Sequence, residues 1–594
     1  MTEEKIQGNQ NEIPESDETM LDRPQEAEQV ESPDEEISNA EQTIQSTLMS
    51  GLLGYVNFDN GASDNDTSGA MVSAERRKHF RRDVYVGIKD VEQNIEFLGR
   101  IVQGPFHIPH EISSDSAITR TTVLHPERTK FRPSYYVFGN IEILGQLMND
   151  ERVIPTPTRP RPYSEICIFP PDRLRKLLEI EGNVLIGHLM GYEEERIEIR
   201  ANSENKNFLP RNIGIFGTVG SGKSNTVQVL VEEASEAGWA SVIIDIEGEY
   251  VRMNEANDIS DMNLILGQRF SIKPEGITDF KVYVPSSGTS EAASPIRFKV
   301  PIAQLDISVI ADILEFSEPQ SRMFERVVEF KRRSNNQSGS QRLGALAGDP
   351  QQAPEYDYTL QNLIDSLENP NFLKTVSSVE QVTANTLRNK LIYTLGRSGM
   401  LDWNATNRVS YLPINDLLVG GRLSVLDVSE TDDRSRNIAI AYVLQSLFNK
   451  VIETSVGEHM PNTEINRPKV LLVIEEVHTF VSRQSVTKMR AVLDNLQTIS
   501  RRGRKRWMSL ALVSQQPGHV PDELFELANT RFIHQLKSAT NLAPVKQTTG
   551  GVHEALWSTI PALGPGQCLL TGSTFKNPLF VNIRPSKSRR LLTN

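Results

Sequence analysis

The stretch IGIFGTVGSGKSNTVQVLVEEA, residues 213–234, decides the fold of this chain of 594 residues. Its first five residues are typical of a buried strand, and residues 224–237 have the pattern of a helix. Between them, GTVGSGKS (217–224) matches the pattern G-x-x-x-x-G-K-[ST] in the context that the pattern requires. We therefore predict a strand, then a loop that binds the phosphates of a nucleoside triphosphate, then a helix.

The predicted loop offers several kinds of phosphate contact. Its glycines allow backbone N–H groups to converge on an anion, and the following helix adds the positive end of its dipole. Lys223 is expected to reach the β- and γ-phosphates of ATP, and the hydroxyl of Ser224 to bind Mg²⁺. The predicted nucleotide-binding residues are Gly217, Thr218, Val219, Gly220, Ser221, Gly222, Lys223, Ser224 and Asn225.

A second apolar strand, within KVLLVIEEVHTF (469–480), ends in two carboxylates. We expect Glu475 to hold the Mg²⁺ shell and Glu476 to polarise the attacking water as a general base. The alternative is that both are solvated acids at the end of a strand. His478 is either a sensor of the nucleotide state or a structural histidine.

Two further apolar strands also end in polar residues. SLALVSQQP (509–517) places Gln515 where a side-chain amide could contact the γ-phosphate or the lytic water. Asp245 ends SVIID (241–245), and it could face the same way or serve as a cap or turn residue. We expect Gln515 to belong to the same site as the two glutamates.

The densest basic run, ISRRGRKRW (499–507), lies just before the strand that ends in Gln515. Arg501 or Arg502 could act as an arginine finger on the γ-phosphate bound by a neighbouring subunit, an effect typically worth ~10³ to 10⁵ in rate. The run could instead be a solvated face, or it could contact nucleic-acid phosphates.

Composition divides the chain into parts of different character. Residues 1–75 are rich in acidic and amide side chains and predict a disordered acidic tail. Short apolar runs separated by Gly and Pro predict a small β-barrel over 82–200. Alternating strands and helices over 205–300 and 401–594 predict an α/β, RecA-like P-loop motor domain with a parallel sheet, interrupted by a helical insertion at 301–400.

The net charge of −14 does not exclude a nucleic-acid partner, because the charge is unevenly distributed. Residues 1–70 hold seventeen acidic and two basic side chains, whereas the remaining residues hold 60 acidic and 61 basic side chains. A nearly neutral body can present a local basic surface to phosphates. Two distant cysteines and the lack of a long apolar run favour a protein of the reducing cytoplasm without a membrane span.

Five segments together resemble the HerA family, within the wider group that includes the FtsK DNA pumps. They are GTVGSGKSNT (217–226), SVIIDIEGEY (241–250), VLLVIEEVHTF (470–480), SRRGRKR (500–506) and LALVSQQP (510–517). The resemblance covers about residues 82–590 and implies a homohexameric ring that threads double-stranded DNA and hydrolyses ATP with Mg²⁺. The roles it implies are nucleotide and metal binding by Lys223 and Ser224, catalysis by Glu476, sensing by Gln515 and trans action by an Arg of 501–504.

Most motors of this group have Asp where this chain has Glu475, a departure that concerns the detail of metal coordination. Family members often act beside a nuclease of the NurA type in DNA end resection, and others sit in antiviral modules beside a different effector. The leading hypothesis is therefore an ATP-driven translocase or helicase on double-stranded DNA. The alternatives are a ring that assembles and activates a partner effector through an ATP switch, and a polypeptide translocase.

Overall fold

The structure is a computed structural model, and it describes ten ranges of the chain. They are residues 51–57, 67–109, 124, 135–339, 358–396, 399–403, 410–461, 463–479, 481–482 and 490–591. The chain divides into Met1–Leu52, most of which lies outside these ranges, and Leu53–Asn594. The predicted disorder of the acidic tail therefore falls mostly outside the described residues.

The first sheet is a small barrel. Its strands are β1 (Leu52–Val56), β2 (Thr67–Ser73), β3 (Tyr85–Asp90), β4 (Ile95–Pro109), β5 (Tyr135–Leu147), β6 (Val153–Ile154) and β7 (Glu165–Ile168). The order β2-β1-β7-β3-β4-β5 closes on itself because β2 also pairs with β5, while β6 extends the sheet beyond β5. Residues of β5 are alternately buried and partly exposed, as expected for a barrel wall with one solvated face.

The structure corrects the predicted boundaries of the barrel at both ends. Strands β1 and β2 lie inside the range predicted as a disordered tail, yet they bury Leu53, Val56, Ala70 and Val72 in the barrel. The apolar patch at 48–58 is visible in the sequence, but the acidic composition around it favoured a disordered tail over two strands. At the other end, residues 184–201 lie in the second sheet and not in the barrel, because they pair with a strand from the end of the chain.

The second sheet has twelve strands and holds the P-loop. Its strands are β8 (Val184–Leu189), β9 (Glu198–Ala201), β10 (Ile213–Phe216), β11 (Ala240–Asp245), β12 (Phe280–Pro285), β13 (Ile296–Phe298), β14 (Leu423–Asp427), β15 (Val470–Ile474), β16 (Met508–Ser514), β17 (Thr530–Ile533), β18 (Gln567–Thr571) and β19 (Leu579–Ile583). The strand order is β13-β12-β14-β11-β15-β16-β10-β17-β18-β19-β8-β9. The run from β13 to β17 is parallel, which confirms the predicted parallel sheet, and the remaining strands pair antiparallel.

Helices cover both faces of this sheet. The helices of the described residues are α1 (Pro171–Leu177), α2 (Lys223–Glu236), α3 (Ser260–Phe270), α4 (Ile307–Ile313), α5 (Glu318–Gly339), α6 (Leu360–Glu368), α7 (Pro370–Leu373), α8 (Ser378–Leu391), α9 (Ile414–Leu417), α10 (Asp433–Glu453), α11 (Arg490–Gly503), α12 (Asp522–Phe525), α13 (Ala539–Gln547) and α14 (Glu554–Trp557). The insertion is helical as predicted, with α4 to α8 inside it. Its apolar residues pack with Ile244 and Leu472, whereas α2 packs with the adjacent Ile243 and Val473 on the other face.

The chain beyond β19 runs along the P-loop helix α2. We call residues 584–591 the C-terminal segment. Asn225 of α2 donates to the carbonyl of Arg584 at 2.8 Å and accepts from the backbone N–H of Ser586 at 2.9 Å. The Arg584 guanidinium is fully buried and lies 2.9 Å from carboxylate oxygens of both Glu232 and Glu233. Buried charges need such partners, so this triad fixes the segment on the helix.

Replacing Arg584 with alanine is expected to lower the free energy of unfolding by about 3–5 kcal/mol, because it leaves two carboxylates buried without their cation. Urea unfolding followed by fluorescence measures the change. The matched control is Arg152→Ala, which removes an exposed arginine paired with the exposed Asp150. Unfolding midpoints that are equal in the two variants would contradict a stabilising role for the triad.

Candidate nucleotide-binding and catalytic site

The P-loop connects the carboxyl end of β10 to the start of α2, as the sequence predicts. Gly220 and Gly222 have φ values of 74° and 104°, in the left-handed region that favours glycine. A Cβ on Gly222 would also lie 2.7 Å from the backbone nitrogen of Gly566, which itself donates to the carbonyl of Ser221 at 2.9 Å. The residues before β18 thus brace the loop from one side.

Lys223 is buried at the base of this loop. Its Nζ donates to the carbonyl of Thr218 at 3.2 Å, and burial lowers the pKa of its amine, while Glu476 and Glu475 act in the opposite direction. A buried ammonium with a neutral carbonyl as its hydrogen-bond partner gains from a nearby anionic phosphate oxygen. The geometry therefore suits an anionic phosphate group, with Lys223 as the source of positive charge.

Glu475, at the end of β15, has a half-satisfied carboxylate. Its Oε1 accepts from the hydroxyl of Tyr250 at 2.8 Å, whereas its buried Oε2 has no hydrogen-bond partner among the described residues. Burial, together with Asp245 and Glu249, raises the pKa of Glu475 well above its ordinary value. A nearby cation would favour the ionised form of this carboxylate.

Two glutamates that sequence reasoning missed lie beside Glu475. One carboxylate oxygen from each of Glu247, Glu249 and Glu475 lies within 4.8 Å of the others. Oxygen donors of this kind fit Mg²⁺, and Ser224 lines a cavity together with Glu247 and Glu249. Ser224 and these carboxylates would hold the ion, which offsets phosphate charge when bound. The only sequence signal for Glu247 and Glu249 was their place in DIEGEY (245–250).

Glu476 is held between the ends of β15 and β16. Its Oε2 accepts from the backbone N–H of Gln515 at 3.1 Å and lies 3.1 Å from Nδ1 of His478. The residue has a φ of 43°, a left-handed conformation that is strained for a side chain of this size and typical of active sites. The side-chain amide of Gln515 donates to Glu247 at 3.1 Å. The structure thus brings Glu476, Gln515 and the acidic cluster together.

Asp245 is a turn residue, one of the two alternatives that the sequence left open. It is fully buried, and its carboxylate accepts the backbone N–H groups of Gly248 at 2.7 Å and Tyr250 at 2.9 Å. Burial, reinforced by Asp427, raises the pKa of Asp245 to about 7. Its position shapes the turn that presents Glu247 and Glu249.

A cavity of about 480 Å³ is lined by Lys223, Glu247, Glu249 and Gln515, whereas Glu475 and Glu476 are not among its lining residues. The predicted residues that line it are Val219, Gly220, Gly222, Lys223, Ser224, Asn225 and Gln515. Thr218 and Ser221 instead support the loop, since Ser221 Oγ donates to the carbonyl of Thr218 at 2.7 Å. The arrangement can bind a nucleoside triphosphate, hold its cation and place a carboxylate near the terminal phosphate.

The two predicted finger residues lie away from this cavity. Arg501 and Arg502 are exposed at the end of α11, before β16 begins, whereas Gln515 follows the end of β16. Strand β16 has seven residues, which span about 23 Å at 3.3 Å per residue. Within one chain, the basic run therefore lies at the amino ends of the parallel strands, and the phosphate loop lies at their carboxyl ends.

Comparisons with known proteins agree with the site. Residues 184–447 match the family described as helicase HerA, central domain. The chain is 23% identical over 455 residues to a probable helicase of Methanocaldococcus jannaschii, covering 76% of this chain and 77% of that protein. It is 25% identical over 413 residues to the DNA double-strand break repair helicase HerA of Sulfurisphaera tokodaii, covering 68% and 69%.

Among solved structures, VirB4 of Thermoanaerobacter pseudethanolicus matches with a TM-score of 0.44 and 15% identity, covering 68% of this chain and 96% of that one. The fold assignment rests on the strand order and not on this score. Within the described residues, the structure has no helix both long enough and apolar enough to cross a membrane. The P-loop site and these relatives show an ATP-hydrolysing P-loop enzyme that is similar to HerA helicases.

Proposed function

We propose that the enzyme is an ATP-driven motor on double-stranded DNA, and that it works as a homohexameric ring with ATP sites shared between neighbours. The observation that carries the proposal is the separation of the basic run from its own P-loop by the length of β16. Among the described residues, no carboxylate forms an ion pair with Arg501 or Arg502, so their charge is available to a neighbour or to a phosphate backbone.

The ATP site within one chain supports this arrangement because few cations line it. Those that line the cavity are Lys223, Arg269 and Arg590, and Arg590 already lies 3.4 Å from Glu249. Charge developing on the γ-phosphate during hydrolysis is commonly stabilised by an arginine from another subunit or domain. An Arg of 501–504 from the next subunit would supply that charge and would make turnover depend on assembly.

The DNA substrate is proposed from two sources. The relatives in the comparison include a DNA double-strand break repair helicase. The basic run also presents exposed side chains at 501, 502 and 504–506, a density of charge that suits phosphate contacts. In this proposal, any cutting of DNA belongs to a partner nuclease of the NurA type or another effector, in end processing or antiviral defence.

Duplex DNA is expected to raise the ATPase rate of the purified protein several-fold, and the stimulation should fall steeply with added salt as phosphate contacts are lost. A coupled assay at several salt concentrations measures both effects, with Lys223→Ala as the inactive control. Stimulation by an unfolded polypeptide but not by DNA would favour a polypeptide translocase. A rate that responds to neither polymer would contradict the motor. It would favour a ring that assembles and activates a partner effector through an ATP switch.

A further inference from the structure

The nucleotide cavity extends beyond the P-loop into a largely apolar region. This region is lined by His188 of β8, by Met262, Ile265 and Phe270 of α3, and by Ile583 and Pro585 near the end of the chain. It is continuous with the phosphate-binding part, since one cavity of about 480 Å³ includes both. A nucleotide anchored by its phosphates must place its sugar and base somewhere in this same space.

His188 is the polar group of this region whose hydrogen bonding is incomplete. Its ring stacks on Phe270 with centroids 4.1 Å apart and an interplanar angle of 11°. The residue is 6% exposed, and its Nε2 is buried without a hydrogen-bond partner among the described residues. Burial lowers the pKa of the imidazole, which favours its neutral form. A buried polar nitrogen of this kind is costly unless a ligand satisfies it.

A purine base has a shape and chemistry that complement this region. Its faces are apolar and suit the side chains of Met262, Ile265 and Ile583, while its edge carries hydrogen-bonding groups. Adenine presents an amino donor where guanine presents an oxygen acceptor. A neutral imidazole nitrogen that acts as an acceptor can therefore pair with the group at position 6 of adenine, whereas at position 6 of guanine it meets another acceptor.

We propose that His188 and Phe270 form the base subsite of the enzyme, in which Nε2 of His188 accepts a hydrogen bond from the 6-amino group of adenine and so selects ATP over GTP. The inference rests on ATP as the nucleotide of the proposed function, and it extends that function by naming the residue that reads the base. It does not depend on the ring, on DNA or on the arginine finger.

The test uses the full chain with His188→Phe, which keeps a flat ring against Phe270 and removes the nitrogen. Dissociation constants for ATP, GTP and tripolyphosphate, each with Mg²⁺, are measured by calorimetry without DNA. We expect ATP to bind about tenfold more weakly, as for the loss of one buried hydrogen bond. Binding of GTP and of the base-free tripolyphosphate should stay at the wild-type level, so the preference for ATP over GTP falls by the same factor.

Two controls separate reading of the base from a structural role. Lys223→Ala should weaken binding of all three ligands, because they share the phosphate contacts. Phe270→Leu should weaken binding of ATP and GTP together and leave tripolyphosphate unchanged. An unchanged ratio of ATP to GTP affinity in His188→Phe would overturn the proposal, and so would a loss of tripolyphosphate binding in that variant. Failure of DNA to stimulate the ATPase would refute the motor and leave these binding results standing.

Discussion

Replacing Glu476 with glutamine is expected to leave an enzyme that binds ATP but hydrolyses it about 10²- to 10⁴-fold more slowly, the usual loss when a general base is removed. Glutamine keeps the size of the side chain and can still accept the N–H of Gln515 through its carbonyl oxygen. It cannot take a proton from the attacking water. Single-turnover hydrolysis and equilibrium nucleotide binding, measured on the same preparation, separate the two effects.

The matched control is Glu475→Gln, which makes the same change from carboxylate to amide at the neighbouring residue. Glu475 is fully buried, accepts from Tyr250 and lies among Glu247 and Glu249, so its loss should raise the Mg²⁺ concentration needed for activity. A larger loss of turnover in Glu475→Gln than in Glu476→Gln, at saturating Mg²⁺, would reverse the two roles. It would make Glu475 the base.

Mixing inactive Arg502→Ala subunits with inactive Lys223→Ala subunits is expected to restore ATP turnover. If Arg502 acts in trans, some interfaces of a mixed ring pair an intact P-loop with an intact arginine. Each variant alone should lose turnover, by about 10³- to 10⁵-fold for the arginine if it is the finger. The ATPase rate across mixing ratios, with the same series for Arg501→Ala, identifies which arginine carries the effect.

The alternative role of the basic run, contact with DNA, predicts a different result. If the basic run contacts DNA instead, mixing should restore no basal ATPase, and Arg502→Ala should weaken DNA binding with a shallower dependence on salt. Arg322→Ala is the matched control, since it removes an exposed arginine of the helical insertion. A protein that hydrolyses ATP at full rate as a monomer would exclude the ring itself.

The parts of the site that could be predicted from the sequence are those set by local patterns. An apolar strand that ends in a polar residue delivers that residue to the carboxyl edge of a parallel sheet, as with Glu476 and Gln515. The P-loop glycines and Lys223 follow from a contiguous motif for the same reason. In each case the pattern that predicts the residue lies within a few positions along the chain.

The parts that could not be predicted depend on contacts between distant segments. Strands β8 and β9 have the short apolar pattern of barrel strands, and nothing local says which sheet they join. Their place is set by the end of the chain, where Arg584 donates to the carbonyl of Leu185 across a separation of 399 residues. His188 reaches the nucleotide cavity only through this pairing, so a buried histidine in an apolar strand gave no usable signal.

The C-terminal segment determines when the ATP site can form during synthesis of the chain. Asn225 at the start of the P-loop helix is held by Arg584 and Ser586, which leave the ribosome more than 350 residues after it. Domains generally fold as units, and N-terminal domains fold first during synthesis. Here the ATP site can reach its described form only once the ribosome has passed this segment. A nascent or prematurely terminated chain would therefore carry the P-loop helix without these contacts.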